Sequence, residues 1–139
     1  MHKIFVFGTL KEGFPNYGIN KGSRLEGSYL TKNRYPLYLI GKRFSPWLVL
    51  DKGNGHNVRG QVFIVNDATL AEMDKLERIN EVDGYRRIKL TVISEESAEK
   101  LVVFAYGKPV AQHDSADIRL ELNGEYELEH SLLYIGLKL

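Results

Sequence analysis

The pattern of apolar and polar positions predicts a series of short strands. Uninterrupted apolar runs at 4–7 and 101–106 are typical of buried strands, and the segment VRGQVFIV at 58–65 is rich in β-branched residues. The residues YRRIKLTVI at 85–93 alternate in polarity, as a half-buried strand does. Two further strand candidates are weaker, 25–30 and 35–40, and a short apolar segment follows at 47–51.

One helix is predicted at 68–79, where Leu70, Met73 and Leu76 recur at helical spacing after a capping Asn66 or Asp67. The tail gives two conflicting signals. Asn123–Gly124 is typical of a hairpin turn, whereas the residues 127–134 equally suit a short helix. The tail is therefore left open at this stage.

Strands and helices do not alternate along the chain, which argues against a doubly wound parallel sheet. The pattern instead favours an α+β fold, a small mixed sheet that closes into a β-barrel and carries short helices. No internal repeat, low-complexity tract or linker divides the sequence, so we expect one domain over all 139 residues.

Glu77 lies on the apolar face of the predicted helix. On a helical wheel of about 100° per residue, Glu77 projects between Leu70 and Met73. Glu72, Lys75 and Arg78 project elsewhere. A carboxylate in that direction loses its hydration, which raises its pKa and marks it as a candidate catalytic group.

Three other interpretations of this carboxylate stay open. Arg86 or Arg87 can pair with a buried Glu77, the helix can fray so that Glu77 reaches water, or Asp74, at the edge of the apolar arc, can be the reactive carboxylate instead.

The end of the first strand, at 7–10, is the second candidate site. Glycine after a buried strand permits a turn that presents consecutive backbone N–H groups to an anion, although an ordinary strand-to-loop glycine has the same sequence. The spacing of glycine and lysine excludes a Walker phosphate loop, and no serine lies in a G-x-S-x-G setting.

Composition narrows the remaining classes of function. The net charge of +1 argues against nucleic-acid binding, and the absence of cysteine excludes thiolate chemistry. The four histidines are too scattered to predict a metal site, so we expect neither metal nor cofactor. No signal peptide or membrane span is evident, which predicts a cytoplasmic protein that does not bind membranes.

A series of motifs, taken in order, resembles the γ-glutamyl cyclotransferase-like superfamily and most closely its γ-glutamylamine cyclotransferase (AIG2-like) branch. The family opens with a strand that runs into Y-G-T-L-K, and its helix ends in L-D-x-x-E. The matching segments here, spread over residues 3 to 108, are VFGTLKEGFPN, YPL, PWL, VRGQVF, MDKLE, YRR and FAY.

This resemblance implies an enzyme that converts a γ-glutamyl amide, such as γ-glutamyl-ε-lysine, to 5-oxoproline and a free amine without a cofactor. It implies that Glu77 is the acid/base and that Phe7, Gly8, Thr9 and Leu10 bind the glutamyl group. It also predicts a pocket that includes Asn16, Tyr85, Arg87 and Tyr106.

Phe7 departs from the family, which usually has tyrosine there, so a hydroxyl is missing from the expected site. Two other functions fit the same motifs. One is a cyclotransferase for γ-glutamyl amino acids or γ-glutamyl-capped metabolites, and the other is a non-catalytic binding or interaction domain. The sequence does not indicate the oligomeric state.

Overall fold

The structure, a computed structural model, describes residues 1–135. In this part of the chain the strands are β1 (His2–Val6), β2 (Ser23–Arg24), β3 (Tyr29–Tyr35), β4 (Leu37–Ile40), β5 (Ser45–Leu48), β6 (His56–Val65), β7 (Arg86–Ser94), β8 (Lys100–Gly107) and β9 (Ile118–Glu121). The helices are α1 (Asp67–Leu76), α2 (Val110–His113) and α3 (Leu128–Ser131). A 3-10 turn covers Tyr17–Ile19.

The larger sheet is mixed and has six strands in the order β1-β8-β7-β3-β6-β2. β1 runs parallel to β8 and also pairs antiparallel with β6, so that five of the strands form a cycle of pairings. A second sheet of three strands, β5-β4-β9, is antiparallel. The prediction of a mixed α+β fold with few helices is confirmed.

Alternating residues of β1 divide the core into two clusters, because successive side chains of a strand point to opposite faces. Phe5 joins the cluster enclosed by the sheet, together with Val58 and Val62 of β6. Ile4 and Val6 join the cluster beneath α1, whose Met73 is fully buried. α1 therefore packs against the outer face of the sheet.

The C-terminal end of α1 is a Schellman motif, in which two backbone bonds close the last turn of the helix. Arg78 N donates to Lys75 O at 3.2 Å, and Ile79 N donates to Asp74 O at 3.3 Å. Arg78 occupies the left-handed position of this motif, with φ of 54°, where glycine is usual. Glu77 is consequently the last residue before the chain turns away.

Gly84 packs directly on this turn. A Cβ built on Gly84 would lie 1.7 Å from the carbonyl oxygen of Arg78, a distance at which backbone must move. The absence of a side chain at position 84 thus allows the chain to return beneath the end of α1 and enter β7.

The structure corrects several boundaries that the sequence predicted. The helix ends at Leu76 and not at 79, because Arg78 leaves the helical conformation. The candidate strand 25–30 is wrong for residues 25–28, since β3 begins at Tyr29 and Gly27, with φ of 83°, separates it from β2. In the tail, β9 ends before Gly124 and a helical turn, α3, follows, so the hairpin interpretation is wrong.

Across residues 1–135 no helix has both the length and the apolar character that crossing a membrane requires.

We expect Gly84→Ala to lower the free energy of unfolding by about 3 kcal/mol, because the new methyl group overlaps the Arg78 carbonyl in a packed turn. Urea denaturation measures this. Gly18→Ala is the control, since a Cβ at Gly18 meets no heavy atom within 4 Å, and equal destabilisation by both variants would contradict the packing argument.

Candidate active site

A cavity of about 650 Å³ opens where the end of β1, the turn between β4 and β5, and the end of α1 meet. Its wall includes Glu77 and the whole of the loop 7–10. The side chains of Asn16, Tyr85 and Tyr106 also line it, as the sequence predicted.

Backbone donors line one end of the cavity. The carbonyls of Gly8, Thr9 and Leu10 accept bonds from Lys11 N, Asn16 N and Asn20 Nδ2, at 3.1, 2.8 and 3.2 Å. Their own amide N–H groups donate to no acceptor within residues 1–135. Buried backbone donors without partners are rare, and three in succession in a turn can form an anion-binding nest. This end of the cavity can therefore hold a carboxylate or a developing oxyanion.

The loop is held in this shape from both sides. Asn16 Nδ2 donates to Thr9 Oγ1 at 2.9 Å and fixes the threonine side chain. Pro46 packs against Gly8 so closely that a Cβ there would lie 2.9 Å from the proline ring. Phe7, in place of the family's tyrosine, is buried and forms part of the wall.

Glu77 is enclosed by protein atoms but keeps a face toward the cavity, so its side chain is half-buried. Burial raises the pKa of the Glu77 carboxyl to about 7, and the positive charge of Lys108 opposes part of this rise. No salt bridge within 4 Å neutralises Glu77 among the described residues. A carboxyl group with this pKa can both accept and return a proton near neutral pH.

Lys108 is the buried cation of the cavity wall. Its ammonium donates to Asp83 O at 2.5 Å and lies 4.4 Å from the centre of the Trp47 ring. It lies 4.5 Å from the centre of the Tyr85 ring. These neutral groups orient the ammonium without cancelling its charge, and burial lowers the pKa of Lys108 to about 8.

Arg87 is not part of the cavity lining, which corrects its place among the predicted pocket residues. Its guanidinium pairs with Asp74, and Asp74 also accepts from the Tyr106 hydroxyl at 2.7 Å. Asp74 is thus engaged in a structural pair behind the wall. The alternatives in which Asp74 is the reactive carboxylate, or Arg87 neutralises Glu77, do not match these contacts.

Two tyrosines of the cavity wall, Tyr85 and Tyr106, are fixed by hydrogen bonds. The Tyr85 hydroxyl donates to Pro46 O at 2.6 Å, which joins the residue before β7 to β5. Burial raises the pKa of Tyr85 well above its usual value. Burial and the bond to Asp74 likewise raise the pKa of Tyr106. Both side chains therefore stay neutral and act as oriented dipoles.

The tail supplies a part of the wall that the sequence did not predict. Tyr134 lines the cavity, and its hydroxyl accepts from Asn16 Nδ2 at 3.3 Å and from Arg43 Nη2 at 3.2 Å. Lys108, Arg43 and Tyr134 were all missed. The only sequence signal was a lysine directly after a buried strand, which is too common to be specific.

One group of three potential metal ligands, Glu127, Glu129 and His130, occurs among the described residues. It lies outside the cavity, and its two carboxylates are exposed. His130 Nδ1 already accepts from Glu127 N at 2.9 Å in a capping box at α3. The group is therefore explained by helix capping.

We expect Glu77→Gln to stabilise the protein at pH 8 but not at pH 4. Between about pH 4.5 and 7 the folded protein retains a proton that the unfolded chain releases, so the free energy of unfolding falls as the pH rises. The neutral amide avoids that loss, which is on the order of 2–3 kcal/mol. Urea unfolding at both pH values measures the difference. Glu72→Gln, at an exposed position of α1, is the control and should show no such pH dependence.

We expect Lys108→Met to raise the pKa of Glu77 further, because the ammonium favours the ionised carboxylate. Titration of the Glu77 carboxyl carbon by NMR gives the shift directly. Lys11→Met is a control matched for burial, since Lys11 is also buried but lies outside the cavity lining. An equal shift of the Glu77 pKa in both variants would contradict a specific electrostatic effect of Lys108 on Glu77.

The sequence is similar to those of two mammalian gamma-glutamylaminecyclotransferases. The chain is 34% identical to a bovine gamma-glutamylaminecyclotransferase over 74% of its own length and 63% of the bovine protein's length. The match thus spans less than two thirds of that relative. It is also 27% identical to the rat gamma-glutamylaminecyclotransferase, with 96% of each chain covered.

A solved structure shares the fold. The crystal structure of an AIG2-like protein from Mus musculus is 27% identical, with a TM-score of 0.80, and the match covers 100% of this chain and 98% of the mouse chain. The family model described as "Gamma-glutamyl cyclotransferase, AIG2-like" matches residues 4–128, which include the nest, Glu77 and Lys108. The chain belongs to the gamma-glutamyl cyclotransferase, AIG2-like family.

Proposed function

We propose that the protein is an enzyme that cyclises γ-glutamyl amides to 5-oxoproline and releases the amine. The observation that carries this proposal is a half-buried carboxyl, Glu77, whose pKa is near 7, in the same cavity as a nest of unpaired backbone amides at 8–10. The cycle of strand pairings also supports the small closed barrel that the sequence predicted.

The substrate provides its own nucleophile. Its α-amine attacks the γ-carbonyl carbon, the new carbon–nitrogen bond closes a five-membered lactam, and the bond to the leaving nitrogen breaks. Well-oriented intramolecular attack lowers the barrier by about 7–11 kcal/mol, which removes the need for a serine or cysteine nucleophile and for a cofactor.

The number of protons that each nitrogen loses or gains in the reaction defines the role of Glu77. The α-ammonium loses two protons as it becomes a lactam nitrogen, and the leaving nitrogen gains two as it becomes an ammonium. Glu77 accepts a proton from the attacking nitrogen and delivers it to the leaving nitrogen, which a group with a pKa near 7 does well in both directions.

The nest at Gly8–Leu10 acts as the anchor for the glutamyl group. Its free N–H groups suit either the α-carboxylate or the oxygen of the attacked carbonyl, which becomes negatively charged in the transition state. The uncharged tyrosines Tyr85 and Tyr106 form part of the wall of the same cavity.

A non-catalytic binding domain is the competing proposal. It would be favoured by a Glu77 that is exposed, or that is neutralised by Arg87 with no cavity beside it. The contacts of Arg87 with Asp74 and the cavity beside Glu77 support the enzyme instead. The leaving amine stays open at this point between γ-glutamyl-ε-lysine, γ-glutamyl amino acids and γ-glutamyl-capped metabolites.

We expect Glu77→Gln to lower the rate of 5-oxoproline release by about 10²–10⁴-fold, because proton transfer is lost while the shape of the side chain is kept. The measurement is 5-oxoproline formation from a panel of γ-glutamyl amides. Glu72→Gln, on the exposed face of α1, should retain the wild-type rate. Normal turnover by Glu77→Gln would contradict the role of Glu77 as acid/base. If wild-type protein formed no 5-oxoproline from any amide of the panel, the binding domain would be favoured.

A further inference from the structure

Two tyrosine hydroxyls of the cavity wall donate their hydrogens to acceptors of the protein itself. The Tyr85 hydroxyl donates to Pro46 O at 2.6 Å, and the Tyr106 hydroxyl donates to Asp74 Oδ1 at 2.7 Å. A phenol has one hydrogen, so only the lone pairs of each oxygen remain available to a ligand. Both tyrosines line the cavity, and there they can act as hydrogen-bond acceptors and not as donors.

Both phenol oxygens lie near the Glu77 carboxyl. Burial raises the pKa of each tyrosine most, and the negative charge of Glu77 contributes to the rise at both. A charge has this effect on nearby groups, because the interaction weakens with distance. The buried ammonium of the wall, Lys108, does not occupy these oxygens, since it donates to Asp83 O and to Gln112 Oε1. Within residues 1–135 both oxygens therefore keep lone pairs free beside Glu77.

The acceptor of the Tyr106 hydrogen is held by α1 and by the neighbouring strand. Asp74 lies within α1, and Arg87 of β7 is directly opposite Tyr106 of β8 in the register of the two strands. Residues opposite each other in a sheet have neighbouring side chains on one face, and here both reach the same Asp74 carboxylate. The Arg87 guanidinium also lies 4.9 Å from the centre of the Phe104 ring. The carboxylate is thus fixed where it accepts the Tyr106 hydrogen.

A ligand group that matches this part of the cavity has to be a donor. The acceptors are the Glu77 carboxyl and the oxygens of Tyr85 and Tyr106, whereas the nest at 8–10 offers only donors. An ammonium group has three N–H donors and no acceptor, and a γ-glutamyl amide carries one on its α-carbon. The polarity of the cavity therefore suits a ligand that has both an ammonium and an anionic group.

We propose that Asp74 is a positioning residue: by accepting the Tyr106 hydrogen, it keeps the Tyr106 oxygen as an acceptor for the α-ammonium of the substrate. Tyr85 and Glu77 supply the other two acceptors. This inference rests on the proposed cyclotransferase function and assigns the residues that bind the ammonium. Asp74 acts through Tyr106, because Asp74 itself is not part of the cavity lining.

The direction of the Tyr106 hydroxyl matters for the reaction because the ammonium has to pass a proton to Glu77. A phenol hydrogen that turned toward the cavity would point at the ammonium, which has no lone pair to accept it. The same hydrogen could instead bind the Glu77 carboxylate, which would stabilise the ionised form and occupy a lone pair that the ammonium needs. Asp74 prevents both arrangements.

Tyr106→Phe tests whether the oxygen binds the ammonium. The substrate is the γ-glutamyl amide that wild-type protein turns over fastest, and the competing inhibitor is its desamino analogue, in which hydrogen replaces the α-ammonium. We expect Tyr106→Phe to raise KM about tenfold and to change kcat less than about twofold, because the ammonium is bound in the ground state as well as in the transition state. The inhibition constant of the analogue should stay at its wild-type value.

Tyr29→Phe is the matched control, because Tyr29 is 6% exposed against 5% for Tyr106 but lies outside the cavity lining. It should leave KM unchanged. If Tyr106 only filled space, Tyr106→Phe would also leave KM unchanged, and the inference would be overturned. An inhibition constant of the analogue that rises in step with KM would overturn the assignment of the ammonium.

Variants of Asp74 test the positioning role. Asp74→Leu removes the acceptor of the Tyr106 hydrogen and should raise KM about as much as Tyr106→Phe does. Asp74→Asn keeps a side-chain oxygen that can accept this hydrogen, so it should retain a KM close to that of wild-type protein. Asp74→Leu combined with Tyr106→Phe should be no worse than the worse single variant, because both changes remove one interaction.

Additive effects of these two changes on KM would show that Asp74 acts independently of Tyr106 and would overturn its positioning role. Tyr106→Phe leaves the pair of Asp74 and Arg87 intact, so it decides the acceptor role even if Asp74→Leu does not fold. Failure of these tests with normal wild-type turnover would overturn the inference and leave the cyclotransferase in place. Absence of 5-oxoproline from wild-type protein with every γ-glutamyl amide would overturn the proposed function itself.

Discussion

The arrangement of the cavity depends on the Schellman turn that ends α1. Arg78 adopts a left-handed conformation that costs an L-residue with a side chain about 1–2 kcal/mol, and the turn persists because Ile79 packs beneath the helix and Gly84 leaves room for the returning chain. One residue earlier, Glu77 is held between the helix and β7 by the bonds Glu77 N to Met73 O and Tyr85 N to Glu77 O, 2.9 and 3.0 Å long. The same turn thus fixes the carboxylate, its tyrosine neighbour and the start of β7.

The second constraint is electrostatic. Glu77 and Lys108 are both enclosed, and each is held away from its ordinary pKa by loss of hydration. Their attraction across the cavity offsets only part of that cost, because the ammonium is held by carbonyl and aromatic groups and not by the carboxylate itself. A direct salt bridge would stabilise the fold more but would lower the pKa of Glu77 and remove it as a base near pH 7.

Much of this site could be predicted from the sequence, and the parts that could not were missed for two physical reasons. The helical wheel identified Glu77 because an apolar stripe is a local pattern within ten residues. It did not show that Glu77 lies past the end of the helix, since nothing about an arginine indicates a left-handed conformation. Arg87 was misplaced because the resemblance placed its strand beside the pocket, whereas its guanidinium turns to Asp74 behind the wall.

Lys108 and Tyr134 were missed for a different reason. Their roles arise from contacts with residues far away in the chain, such as Asp83 for Lys108 and Asn16 for Tyr134, and no local periodicity encodes such pairs. The nest at 8–10 is recognised by the absence of acceptors for its amide groups within residues 1–135, and only the tertiary structure shows that absence. Glu77 and the loop at 8–10 are therefore readable from ordered motifs, whereas the rest of the cavity wall includes residues of the turn before β5 and of the tail.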